Sequence, residues 1–247
     1  MIKNNEIYLG DAYKLIKEID DKSIDCIYTD VPYLYEKNGN SSGSPLGRRI
    51  TRRNQTGLKE LSNGFDYEIL NEFIRVLKKI NLFIWCSKGQ LNDLLNYFKN
   101  IPEREIYNEI LVWCKTNPAP LTNNTWLPDI EYCLYFREGG VKLNDNYELK
   151  HKYFFGAINQ KDKELYGHPT IKPLDLVEKH ILHTTQPNDL ILDPFLGSGT
   201  TAVACKETGR NYIGFELNEK YYNIAINRLK GRTKTAIKNN YEQLNLF

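Results

Sequence analysis

The sequence predicts an α/β fold: a mostly parallel sheet covered by helices on both faces, organised as one domain spanning residues 1–247. Two observations carry this. Short apolar runs alternate with segments of helical period along most of the chain, and a glycine-rich turn, Asp193–Thr201, joins one such run to the helix after it. A third sets the exception. Ile106–Cys114 and Ile130–Phe136 follow each other with no helical pattern between them, which predicts an antiparallel pair, and one antiparallel strand, at a sheet edge.

The elements follow in order. Glu6–Leu9 reads as a strand and Ala12–Ile19 as a helix burying Leu15 and Ile19. Ile24–Thr29 reads as a strand ending at Asp30. Ile69, Phe73, Val76 and Ile80 fall at i, i+4, i+7 and i+11, one face of a helix. Leu82–Cys86 is a strand, and Leu91, Leu94, Leu95 and Phe98 mark the next helix. Pro173 opens a helix with Leu174, Val177 and Ile181 inward, a position that suits proline. Leu190–Leu192 is a strand, Thr200–Thr208 a helix, Tyr212–Glu216 a strand, and Glu219–Lys230 a helix burying Tyr222, Ile226 and Leu229. Two stretches fit no period: 36–63, rich in Gly, Ser, Asn and Arg, and 137–167, which mixes charge with aromatics. The first reads as a long mobile loop and the second as a short insertion.

Composition narrows the class. The 247 residues are 41% hydrophobic and 26% charged, the profile of a globular protein. No run of 18 apolar residues or export signal appears, so neither a membrane span nor secretion is expected. Cys26, Cys86, Cys114, Cys133 and Cys205 are scattered and never in a Cys-x-x-Cys pair, so a reducing cytosol is expected, with neither disulfides nor a metal site. The net charge of +2 is uninformative, but its distribution is not. Lys37, Arg48, Arg49, Arg52, Arg53 and Lys59 cluster against only Glu36 and Glu60. Arg228, Lys230, Arg232, Lys234 and Lys238 form a second cluster without an acid. Either is a solvated face or a contact for a polyanion; Arg48, Arg49, Arg52 and Arg53 are the residues expected to meet its charges if it is the latter.

Two turns carry chemistry. In Asp193-Pro194-Phe195-Leu196-Gly197-Ser198-Gly199-Thr200-Thr201 the glycines permit a sharp strand-to-helix turn close to a ligand. Glu216 ends the following strand, placed to accept from the two hydroxyls of a ribose. A carboxylate at Asp193 suits the ammonium and sulfonium of S-adenosylmethionine and suits a diphosphate poorly. The other turn is Asp30-Val31-Pro32-Tyr33. Proline holds Val31 extended, so the Asp30 carboxylate and the Val31 carbonyl form a pair of acceptors, matched to the two hydrogens of an exocyclic amino group. Tyr33 offers a face on which a base stacks, worth about 1–3 kcal/mol.

Together these segments resemble the amino-methyltransferases of DNA, in the permuted order often termed the beta class. Asp30-Val31-Pro32-Tyr33 is similar to the family's Asp-Pro-Pro-Tyr catalytic motif. His168-Pro169-Thr170-Ile171-Lys172-Pro173 is similar to its His-Pro-Thr-x-Lys-Pro segment, Asp193–Thr201 to its cofactor loop, and Gly10-Asp11 to its N-terminal Gly-Asp. The resemblance covers the chain apart from 36–63 and 137–167. It implies a Rossmann-like fold completed at one side by Glu6–Leu9. It also implies S-adenosyl-L-methionine held by Asp11, His168, Thr170, Lys172, Asp193, Phe195, Gly197, Ser198, Gly199, Thr200 and Glu216. Asp30, Val31, Pro32 and Tyr33 become the catalytic set, acting on a flipped-out base in double-stranded DNA. Asp at position 30 points by family association to adenine N6, with cytosine N4 the near alternative. A nicotinamide-dependent oxidoreductase and an inactive DNA-binding module are the rivals from other classes. The implied setting is the cytosol of a prokaryote or phage host, with a homodimer and a cognate restriction endonuclease as conceivable partners. Val31, where the family usually has proline, is one departure. The brevity of 137–167 for a target-recognition region is the other.

Overall fold

The computed structural model describes residues 2–33, 64–118, 126–158 and 171–231. The arginine-bearing stretch 36–63, His168, Thr170 and the chain after 231 lie outside the described residues.

Among the described residues, eight strands form one sheet: β1 (Glu6–Leu9), β2 (Cys26–Asp30), β3 (Asn81–Cys86), β4 (Ile106–Lys115), β5 (Ile130–Glu138), β6 (Tyr153–Gly156), β7 (Leu190–Asp193) and β8 (Asn211–Glu216), in spatial order β1-β8-β7-β2-β3-β5-β4-β6. Every neighbouring pair is parallel except β3–β5 and β5–β4, so β5 is the antiparallel strand. β1 completes the side beyond β8, as expected. The antiparallel pair lies inside the sheet rather than at its rim, because β6, from the stretch read as an insertion, adds a parallel strand outside β4. Its four residues, Tyr153–Gly156, are too few to show a period.

Helices α1 (Ala12–Leu15), α2 (Ile69–Val76) and α3 (Leu91–Lys99) cover one face; α4 (Leu174–Thr184), α5 (Thr200–Thr208) and α6 (Glu219–Gly231) cover the other. Alternate strand residues divide between them. Leu192 and Ile213 pack with the first set, and Ile191 with α4 and α5. The apolar stripe of α2 is fully inside: Ile69, Leu70, Phe73 and Val76 are each at most 1% exposed, contributing about 1.5–3 kcal/mol per side chain. The helix ends at Val76, earlier than its period implies. Leu77 turns extended and bridges Ile24, leaving Ile80 buried in the approach to β3. The first helix is likewise shorter than expected, continuing past Leu15 as a 3-10 turn over Ile16–Glu18. Arg75 takes the carbonyls of Ile16 and Ile19 there. Of the five cysteines, Cys26, Cys86, Cys133 and Cys205 are buried as small core residues. Among the described residues, no helix is long and apolar enough to cross a membrane.

The last helix corrects its sequence reading. Tyr221, Ala225, Arg228 and Leu229 form its buried face, while Tyr222 and Ile226 are only partly covered. The cause is close packing on the glycine turn: a Cβ at Gly199 would come within 2.7 Å of the Ala225 Cβ. Arg228 therefore leaves the basic cluster read as a solvated face or a polyanion contact. It is 1% exposed and donates to the Ser198 carbonyl at 2.7 Å, to Ser198 Oγ at 3.0 Å and to Thr200 Oγ1 at 2.9 Å.

Candidate active site

The sheet order brings the two turns together. β2 and β7 are parallel neighbours, with Ile27 beside Leu192, so Asp30 and Asp193 end adjacent strands at the same rim. β8 and β1 extend that rim to Glu216 and then to Gly10, whose N–H donates to the Glu216 carbonyl at 2.9 Å. Because β5 runs the other way, it delivers its N-terminal end, Glu131, to the rim where its neighbours β3 and β4 deliver their C-terminal ends.

At the glycine turn, Gly197 and Gly199 both have positive φ, 56° and 81°, which disfavours any side chain. Gly197 N–H donates to Glu216 Oε2 at 2.7 Å, and Glu216 Oε1 accepts from Asn218 N–H at 2.8 Å. Burial pushes the Glu216 carboxyl up, and these N–H groups hold it back. Asp11 caps α1 through Tyr13 N–H at 3.0 Å. Phe195 meets Tyr13 and Phe65 edge-on, at 6.3 and 6.4 Å between ring centres, forming an aromatic wall beside the turn. Three residues expected to face a cofactor turn inward instead. Ser198 and Thr200 are buried against Arg228. Asp193, 4% exposed, accepts from Phe195 N–H at 3.1 Å and from Thr201 Oγ1 at 2.6 Å, bracing the turn from within. Burial pushes its carboxyl up to about 7.

At the other turn, Val31 is buried and donates its N–H to the Trp85 carbonyl at 3.3 Å. The Pro32 carbonyl accepts from Gln90 Nε2 at 3.1 Å. Gln90 itself is fixed by a capping box with Ser87, so the start of α3 holds the turn in place. Lys172, assigned by resemblance to the cofactor, reaches Asp30 instead. Its ammonium donates to Asp30 Oδ2 at 2.6 Å, pairs with Glu131 Oε2 at 3.0 Å and reaches Tyr33 OH at 3.2 Å. It lies 4.8 Å from the Trp85 ring centre. That ring is itself held, through Nε1, on the hydroxyl of Tyr28, which lies 3.2 Å from His180 Nδ1. Burial pushes His180 down to about 3, so it is a neutral packing group at working pH. The second Glu131 oxygen, Oε1, lies 2.8 Å from Lys115 Nζ.

One atom of this cluster is left over. Asp30 Oδ1 is buried and has no hydrogen-bond partner among the described residues. Burial pushes the Asp30 carboxyl up, Lys172 draws it back, and Glu131 pushes it up again. The rim therefore holds a carboxylate with one oxygen anchored and one unpartnered, on the strand next to the glycine turn that Glu216 closes.

Sequence reasoning missed Glu131, Lys115 and Gln90. The only signal for Glu131 is a charge at the start of a strand whose middle is apolar and aromatic, which is ordinary at strand ends.

Comparison with known proteins agrees with this geometry. Residues 24–227 match the family N6_N4_Mtase, described as DNA methylase. The type II methyltransferase M2.LlaDCHI of Lactococcus lactis subsp. cremoris is 34% identical, over 94% of this chain and 92% of that protein. M2.DpnII of Streptococcus pneumoniae is 32% identical over the same shares. Among solved structures, the M1.HpyAVI–SAM complex superposes with a TM-score of 0.67 at 26% identity, covering 91% of this chain and 99% of that one. The cytosine-N4-specific PvuII methyltransferase, at 16% identity and a TM-score of 0.69, shares the fold. The chain belongs to the N6/N4 family of DNA methylases.

Proposed function

We propose that this protein methylates adenine N6 of a flipped-out base in double-stranded DNA. The observation that carries the reading is the unpartnered, buried Oδ1 of Asp30. S-adenosyl-L-methionine is the cofactor, and its sulfonium supplies the methyl group. Glu216, Asp11 and the Phe195–Phe65 wall are the residues that would hold it, with Gly197 and Gly199 allowing close approach. Asp193, Ser198 and Thr200 shape that turn from behind.

Asp30 Oδ1 accepts one hydrogen of the substrate amino group and the Val31 carbonyl accepts the other. The nitrogen is thereby drawn toward a pyramidal geometry, with its lone pair returned from the ring. Tyr33 supplies the stacking face. Once the methyl is bonded, the nitrogen is acidic and a proton passes to Asp30 or to solvent. Orientation and fixed charge supply most of the acceleration. Cytosine N4 presents the same amino edge, and Asp30 favours adenine by family association. The relatives' type II designation supports a role as the methylating arm of a restriction–modification pair.

The deciding experiment is transfer of labelled methyl to duplex DNA followed by nucleoside analysis. N6-methyldeoxyadenosine is expected. N4-methyldeoxycytidine would reassign the base, and the absence of any methylated nucleoside would overturn the reading.

Glu216→Ala is expected to weaken cofactor binding by about tenfold or more, the loss of charged hydrogen bonds worth roughly 1.5–3 kcal/mol, with DNA affinity unchanged. Calorimetric titration checks this, and an unaltered cofactor affinity would remove Glu216 from the site.

The arginines of 36–63 are proposed to bind backbone phosphates. Neutralising Arg48, Arg49, Arg52 and Arg53 should weaken DNA binding. The slope of log K against log salt should flatten by about 0.9 for each phosphate no longer neutralised. An unchanged slope in a salt titration would leave them a solvated loop.

A further inference from the structure

We propose that Glu131 is a positioning residue for methyl transfer: by sharing the Lys172 ammonium, it keeps that cation from neutralising Asp30 and so keeps Oδ1 a strong acceptor. The proposal rests on the role given to Asp30 above and deepens it.

The geometry is specific. An ammonium has three hydrogens, and those of Lys172 face three groups: Asp30 Oδ2, Glu131 Oε2 and Tyr33 OH. The Lys172 side chain is only 11% exposed and lies over the Trp85 ring, so it has little room to swing away. Glu131 is fixed from its far side by Lys115. The result is a row of alternating charge, Lys115–Glu131–Lys172–Asp30, running from the end of β4 across β5 to the catalytic turn.

A Lys172–Asp30 pair alone would already be neutral and hydrogen-bonded. Burying a second carboxylate against it costs desolvation, which a purely structural ion pair does not need. The added carboxylate changes the electrostatics at Asp30. Lys172 divides its attraction between two anions, and Glu131 also repels Asp30 directly. Burial pushes Glu131 up, but Lys172 and Lys115 outweigh it and hold it at about 2, so it is ionised wherever the enzyme works. The other titratable groups facing Asp30 are Tyr28 and Tyr33 on its own strand and turn, Cys86 from β3, Cys133 from β5 and Asp193 from β7; burial raises Tyr28 as well. Both thiols are raised by burial and stay neutral. Burial raises Asp193 to about 7, and Glu131 is not among the groups that set it, so the Asp30 titration is followed by its own NMR signal rather than by kcat alone.

The test uses the full chain as wild type, Glu131→Gln and Glu131→Asp. Three things are measured: the Asp30 carboxyl titration by carbon-13 NMR, kcat against pH, and affinities for S-adenosylmethionine and DNA. Removing a nearby negative charge lowers a carboxyl pKa. In Glu131→Gln the Asp30 midpoint and the acid limb of kcat should therefore move down together by about one pH unit. Above that limb kcat should fall by about tenfold or more, with both affinities within about twofold of wild type. Glu131→Asp keeps the charge and should hold the midpoint near wild type. A folded Glu131→Gln protein with an unmoved midpoint overturns the proposal, as does a loss of rate carried entirely by weaker cofactor binding. If Glu131→Gln does not fold, Lys115→Met takes its place. Freed of Lys115, Glu131 should push the Asp30 midpoint upward, and an unmoved midpoint again overturns the proposal. A wild type that transfers no methyl would instead remove the functional reading and this proposal with it.

Discussion

Asp30→Ala is expected to lower kcat for methyl transfer by about 10²–10⁴-fold while S-adenosylmethionine binding persists. The side chain contributes the unpartnered oxygen Oδ1, and its other oxygen is held by Lys172 rather than by Glu216. The variant should also fold. Removing a carboxylate paired with a buried lysine usually strands that lysine, at a cost of several kcal/mol, but here Lys172 retains Glu131 as a counter-ion. Single-turnover methylation measured beside calorimetric cofactor binding separates the two effects, and robust methylation by Asp30→Ala would move the chemistry elsewhere. Val31→Pro is the matched control. It keeps the carbonyl proposed as the second acceptor but loses the N–H that donates to the Trp85 carbonyl, a cost of about 1 kcal/mol. Activity should survive with a modest fall in Tm. A folded but inactive Val31→Pro protein would show that the turn does not act through that carbonyl.

How much of this was legible in the sequence follows from where the information lies. Strand and helix order was readable because each element's period is local, and contiguous turns such as Asp30–Tyr33 and Asp193–Thr201 announce themselves. The partners of those turns do not. Glu131 reaches the lysine that holds Asp30 from a distant part of the chain, and only because β5 is antiparallel and inserted beside β3. Lys172 lies in a segment that resembles a cofactor motif, yet its ammonium is drawn to the two carboxylates. Inward-facing Ser198 and Thr200 were indistinguishable in sequence from ligand-facing ones. What turned them is a single arginine that charge counting placed on the surface.

Arg228→Met is expected to cost about 3 kcal/mol or more, because it removes a buried guanidinium that donates to three oxygens of the glycine turn. Hydrogen bonds to a charged group are worth about 1.5–3 kcal/mol each, and an acceptor left buried and unpaired adds its own desolvation penalty. Methionine fits the apolar stem but replaces none of these bonds. For a chain of this size each kcal/mol shifts Tm by about 2–4 °C, so a fall on the order of 6–12 °C is expected. Cofactor affinity should fall as well, because Arg228 fixes the residues on both sides of Gly199, whose positive φ and contact with Ala225 leave the turn few alternatives. The salt dependence of DNA binding should not change, since the side chain is 1% exposed and cannot meet a phosphate. Thermal unfolding with and without S-adenosylmethionine, together with a salt titration of DNA affinity, checks all three. A Tm equal to wild type combined with a flatter salt slope would return Arg228 to the basic surface where the sequence first placed it.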